Sequence, residues 1–241
     1  MGLSSNIIWH QTNIDGLKAI LAERKFKCSY SLEDIHWKSS HLELAFPMLS
    51  FCDIPLSDID DYLGKYGKYT IGMKRSWGQK HGFTPVWYQN PQSSSLCAVA
   101  SSHKKLNTKP FQLEAELIWH ILSCVKNYEG RLKKYGFDRY RFYDEREIRY
   151  VPSMGSIEVA GISPVLNAKE YGIYKENHNG QSLINNLEVP FDISDVVYML
   201  ISSPNQENRV RELLGGNADK VVILSYQQVK EDIIGSWHNR D

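Results

Sequence analysis

Phe142-Tyr-Asp-Glu-Arg-Glu-Ile-Arg-Tyr-Val151 is the stretch on which the reading of this chain turns. Phe142, Ile148 and Val151 carry enough β propensity to predict a strand despite five charged residues. Side chains alternate with period two, which puts Tyr143, Glu145, Glu147 and Arg149 on one face. Two carboxylates at i and i+2 repel each other unless something uses or neutralises them. One reading is a catalytic Glu-x-Glu. The other is an edge strand whose solvated charge ladder discourages aggregation. Pairing of Arg146 or Arg149 with the glutamates would likewise make the motif structural.

The 241 residues are 42% hydrophobic and 23% charged, ordinary globular values for one large domain or two small ones. Twenty-eight basic and 28 acidic residues cancel, so overall charge argues neither for nor against a nucleic-acid partner. Local basic runs exist at Lys104-Lys105, at Arg131, Lys133 and Lys134, and at Arg139 and Arg141. Cys28, Cys52, Cys97 and Cys124 lack metal-type spacing. No secretory leader is expected ahead of the first apolar strand, and no run reaches the roughly 18 apolar residues of a membrane span. The expectation is a cytoplasmic protein with reduced, mostly buried thiols and no membrane partner.

Outward from the central stretch, the pattern alternates strands and helices. Strands are predicted at 7–10, 48–52, 69–73, 85–89, 196–201 and 221–224. Asn13 caps a helix through Glu23 that carries Ile14, Leu17, Ile20 and Leu21 on one face. The clearest helical spacing covers Phe111 to Lys134, through Leu113, Leu117, Ile121, Leu122 and Val125. The segment from Asn90 to Asn107 reads as a loop or a poorly anchored helix, and 168–187 as polar. A helix from Pro204 or Asn205 to Leu214 stops at Gly215-Gly216.

No Gly-rich phosphate loop, dinucleotide fingerprint or nucleophile elbow is present. The eight histidines show no paired metal spacing; His36 and His41 stand five apart on what reads as an irregular segment, and no metal is expected. What remains is a dispersed polar set at strand ends. His10 closes the first strand, Thr12 follows, Ser50 interrupts an apolar strand ahead of Phe51, and Tyr66 and Tyr69 flank Gly67. Each has an ordinary structural explanation. Together with Glu145 and Glu147 they are how a site is built on a rigid scaffold.

The blocks Pro47-Met-Leu-Ser-Phe-Cys-Asp-Ile-Pro-Leu-Ser57, Tyr66-Gly-Lys-Tyr-Thr-Ile-Gly-Met73, Trp77-Gly78, Pro85-Val86 and Tyr143-Asp-Glu-Arg-Glu-Ile-Arg-Tyr-Val-Pro152 resemble the AbiG-type abortive phage-resistance family. The likeness covers roughly residues 7 to 152. The same blocks are similar to ADP-ribosyltransferase-like domains. That second resemblance implies an α/β (α+β) fold with a split central sheet, a single domain over 1–241, a core at 1–152, and a part at 153–241 that completes the sheet and carries a variable insertion. It implies that His10, followed by Thr12, holds the adenosine ribose of NAD. Ser50 would brace the nicotinamide side, and Tyr66 or Phe51 would stack on nicotinamide. Glu147 would bond the nicotinamide ribose, where a carboxylate stabilises the oxocarbenium-like state. Glu145 would orient or deprotonate the acceptor, and Arg149 or Arg146 would meet the pyrophosphate. The usual Ser-Thr-Ser triplet is Ser-Phe-Cys here.

The implied function is an NAD-dependent ADP-ribosyltransferase toxin of phage defence, with NAD as substrate, a macromolecular target in which RNA stands ahead of protein, and a cognate antitoxin protein as partner. The alternatives are a non-enzymatic antitoxin that kept a transferase-like shell, and an NAD hydrolase.

Overall fold

The computed structural model describes residues 5–59, 62–63, 66–106, 112–132, 136–179 and 183–234. The chain packs as two compact units made of non-contiguous segments. Unit 1 takes residues 1–26, 50–83 and 189–241; unit 2 takes 27–49 and 84–188. The mixed α/β class expected from the sequence holds. The expected division at 152/153 falls inside unit 2. Among the described residues no helix is long and apolar enough to cross a membrane.

Unit 1 is organised on β4 (Tyr69–Lys74), whose Tyr-Thr-Ile-Gly-Met run is buried throughout, as a central strand requires. β1 (Ile7–Thr12) lies antiparallel to it from Ile7↔Lys74 to Thr12↔Tyr69. β13 (Val196–Ile201) is antiparallel on its other side, and β14 (Val222–Ser225) runs parallel to β13. A Cβ on Gly72 would sit 2.6 Å from the Trp9 ring, so a larger residue there would push Trp9 out of the core. Trp9 is fully buried with Ile54, Ile59, Leu200 and Val229, and its indole N–H donates to the Ile54 carbonyl at 2.7 Å. α1 (Ile14–Glu23) starts as expected: the Asn13 side chain accepts from the Gly16 N–H at 2.8 Å, and Leu17 and Leu21 are buried one turn apart. α2 (Arg75–Lys80) follows β4. α7 (Glu207–Leu214) buries Val210 and Leu214 and ends at Gly215 with φ 58°.

Unit 2 is dominated by a hairpin the sequence did not announce. β2 (Lys25–Trp37) and β3 (Ser40–Cys52) pair in register from Ser29↔Met48 to Trp37↔Ser40 and turn at Lys38, where φ is 50°. β12 (Leu183–Pro190) neighbours β2, and β11 (Leu166–Asn167) pairs with β3 at Leu166↔Ala45. β10 (Glu147–Tyr150) pairs with β5 (Thr84–Pro85). β6 (Trp87–Gln89) and β7 (Val125–Asn127) form a parallel ribbon, and β8 (Gly130–Leu132) and β9 (Phe137–Tyr140) an antiparallel one. The helices are α3 (Ser94–Leu106), α4 (Gln112–Cys124), α5 (Met154–Ala160) and α6 (Ala168–Asn177).

Two expectations change. The stretch 142–151 is not one strand: Phe142–Glu145 is a 3-10 turn, Arg146 is left-handed with φ 45°, and only Glu147–Tyr150 pairs in the sheet. The Tyr143 N–H donates to the Tyr128 carbonyl, and the Arg146 N–H closes the turn onto the Tyr143 carbonyl. The helix expected to reach Lys134 ends at Cys124, because the β-branched, buried Val125 joins Trp87 in the β6–β7 ribbon. The polar Asn90–Asn107 segment takes the helical one of its two expected forms, α3, started by Ser93, whose hydroxyl accepts from the Leu96 N–H at 3.2 Å. Lys133 and Lys134 and the side chains of Lys104 and Lys105 lie outside what is described.

Candidate functional site

In unit 2, the turn at Arg146 brings both glutamates of the Glu-x-Glu stretch to Lys126, on β7. Lys126 Nζ is 2.8 Å from Glu147 Oε2 and 3.6 Å from Glu145 Oε2. Arg149, two residues along β10 on the same face, grips Glu147 from the other side. Its Nε is 2.7 Å from Glu147 Oε1 and its Nη2 3.1 Å from Oε2. The same guanidinium reaches Glu33 Oε1 at 2.6 Å and donates through Nη1 to the Ser123 carbonyl at 2.8 Å. Tyr140 donates its hydroxyl to Glu145 Oε1 at 3.0 Å. The Glu147 backbone is held as firmly: its N–H donates to the Tyr88 hydroxyl at 2.8 Å, and its carbonyl accepts from the Val86 N–H at 2.9 Å.

Three carboxylates and two cations are thus gathered in a nearly dry place. Arg149 is 0% exposed, Glu145 4% and Glu147 6%. Burial alone would raise the Glu147 pKa, but Arg149 and Lys126 outweigh it and hold the carboxyl below the usual carboxylate range. Glu33 goes the other way, because burial and the Glu147 charge exceed the pull of Arg149 and Lys126. Burial would lower the Lys126 and Arg149 pKa values; the surrounding carboxylates, Glu147 foremost, instead raise both. Both cations therefore stay charged. Breaking such a buried pair costs about 3–5 kcal/mol.

His10, Thr12, Ser50, Phe51 and Tyr66 lie in unit 1, whereas Glu145, Glu147 and Arg149 lie in unit 2. His10 Nδ1 is 3.1 Å from the backbone carbonyl of Ser50, and the imidazole packs 5.0 Å from the Phe51 ring and 5.3 Å from Phe26. Burial lowers the His10 pKa against the opposing Ser50 contact, which favours the neutral ring. Phe51 is fully buried, surrounded by Phe26, Trp77 and Phe83. Tyr66 is 39% exposed, and its N–H donates to Gln11 Oε1 at 2.6 Å. Thr12 meets the chain at Gly67, where a Cβ would fall 2.1 Å from the Thr12 carbonyl oxygen, so only glycine fits.

Sequence reasoning missed Glu33, Lys126 and Ser123. Glu33 had a readable signal: it alternates with Ile35 and Trp37, all three buried, while Leu32 beside it is 39% exposed. Lys126 was hidden by the helical spacing that ran through it. A cavity of about 450 Å³ also opens in unit 2, bounded by Tyr30, Ser163, Tyr174, His178, Leu183 and Asn185. None of the residues singled out in the sequence lines it. The Tyr30 hydroxyl is spent on the Ser163 carbonyl at 2.5 Å, and that of Tyr174 reaches the Leu183 carbonyl at 3.4 Å.

Comparison with known proteins gives the family. Residues 18–202 match the family model described as "Putative abortive phage resistance protein AbiGi, antitoxin". The match runs past residue 152, where the sequence resemblance stopped. The abortive phage resistance protein AbiGi of Lactococcus lactis subsp. cremoris is 24% identical over 227 residues, covering 79% of this chain and 90% of that protein. With its family model spanning well over half of the residues, the chain belongs to the AbiGi family of abortive phage resistance proteins.

Proposed function

We propose that this chain is the antitoxin of an abortive-infection pair, a protein that works by binding a cognate toxin rather than by chemistry of its own. The observation that carries this reading is the state of Glu147: both carboxylate oxygens are engaged by Lys126 and Arg149 inside unit 2. To bond a ribose hydroxyl and stabilise an oxocarbenium, the carboxylate would have to share or surrender those partners in a buried place. The antitoxin description of the matched family agrees with the reading.

The second reading is NAD-dependent ADP-ribosyl transfer to RNA or protein. It is favoured by a His10 kept neutral on the first strand and by the partly exposed Tyr66 ring. One experiment separates them. Purified chain is incubated with NAD labelled on the adenylate, with and without total RNA and cell lysate. The antitoxin reading expects no label on RNA or protein and no free ADP-ribose. Label transfer, or ADP-ribose release, that disappears in a well-folded Glu147→Gln variant would overturn it.

A further inference from the structure

Four chemistry-bearing side chains share one face of the β2–β3 hairpin. The register sets Asp34 opposite Glu43 and His36 opposite His41. Residues two apart on a strand point the same way, so all four project together. The His36 N–H donates to Asn127 Oδ1 at 2.6 Å, and the His36 carbonyl accepts from Asn127 Nδ2 at 2.9 Å. Both backbone groups therefore face away from β3. His36 and His41 are then a non-hydrogen-bonded pair, the narrow kind with Cα atoms about 4.5 Å apart. Their rings stack at 5.5 Å with 23° between planes, and both residues are exposed. His36 Nε2 stands 3.0 Å from Asp34 Oδ1. Metal-binding imidazoles use a carboxylate placed at one ring nitrogen to set the tautomer and leave the other nitrogen basic for the ion, and Asp34 stands in that position for His36. The platform is fixed from outside by Asn127 and by the Lys38 N–H, which donates to the Pro91 carbonyl at 2.9 Å.

We propose that His36 and His41 form a two-imidazole site for a borderline divalent transition-metal ion of the zinc, nickel or copper type, with His36 ligating through Nδ1 and Asp34 orienting its ring. Imidazole suits these ions. Among the described residues no group of three or more His, Cys, Asp or Glu side chains is arranged to hold an ion. The site accordingly has two protein ligands, with water in the remaining positions. The exposed His41 ring turns out of the stack to meet the ion at His36 Nδ1, and binding is weaker than at a four-ligand structural zinc site.

The test is calorimetric titration of the full chain with zinc chloride, and separately with nickel chloride, above the pH range in which imidazole protonates. One ion is expected to bind per chain. His36→Ala and His41→Ala should each weaken binding by at least about tenfold, and Asp34→Asn by about tenfold, the usual effect of losing an outer carboxylate. The unliganded melting midpoint should stay close to wild type in all three variants, because the changes are at exposed or half-exposed positions. Absence of saturable binding would overturn the proposal. So would binding that survives unchanged in either histidine variant, since a single exposed imidazole collects ions without a site.

Discussion

Glu147 and Glu33 share Arg149, but the pKa of the first is lowered and that of the second raised, which gives acid and neutral pH separate effects on stability. The folded pKa of Glu147 is depressed. Its contribution is complete above the unfolded carboxylate value of about 4.3 and is lost as pH falls below that value towards the folded one. The folded pKa of Glu33 is raised. Its contribution is complete below about 4.3 and is lost as pH rises through the folded value. Glu33→Gln, which mimics the protonated form, should therefore cost at most about 1 kcal/mol at neutral pH. It should also flatten the fall in melting midpoint between acid and neutral pH. A loss of the 3–5 kcal/mol size expected for a broken buried pair (about that range) in Glu33→Gln would contradict this division. Cys28 is a second residue-level case: burial pushes its thiol up to about 12. Alkylation of the folded chain near neutral pH should leave Cys28 unmodified until the protein unfolds. Modification at native-state rates would show that its surroundings open.

At the scale of elements, what the sequence made legible was the local chemistry of ends and strands. Asn13, Gly215 and the apolar runs of β4 and β13 each act through neighbours in the chain, and their elements appear where expected. Two misreadings share one cause: a distant partner overrode the local pattern. The Glu-x-Glu stretch is broken at Arg146 while its two glutamates meet Lys126, a residue 21 positions from Glu147. The long helix stops where Val125 finds Trp87. The β2–β3 hairpin was missed because Lys38 adopts a left-handed turn without the Gly that usually marks one. A buried side chain helps to lock that hairpin from outside. Asn127 is 4% exposed and serves both backbone groups of His36. Asn127→Ala should cost about 1–3 kcal/mol through the backbone groups left unpaired. It should also speed amide exchange at His36 more than at Trp9, in unit 1. Equal protection at His36 in the variant and the wild type would show that Asn127 does not hold the strand.

At the scale of the whole molecule, the family was legible because its blocks are contiguous runs of sequence, and the comparison extends that match to residue 202. The site was legible only in part. Residue types named Glu145, Glu147 and Arg149, but nothing in their spacing tells a carboxylate waiting for substrate from one already held by Lys126 and Arg149. Expression of the chain alone in bacterial cells should leave growth unaffected; arrest relieved by Glu147→Gln would favour a toxin instead. The most direct measurement is the melting midpoint of the wild type and of Glu147→Gln, each with and without NAD. A carboxylate that belongs to the fold should lower the midpoint when neutralised: breaking the pair costs about 3–5 kcal/mol, and about 2–4 °C per kcal/mol for a chain of this length gives roughly 6–20 °C. NAD should shift neither protein. An unchanged midpoint in Glu147→Gln, together with an NAD-induced rise in the wild type, would contradict the reading and return Glu147 to catalysis.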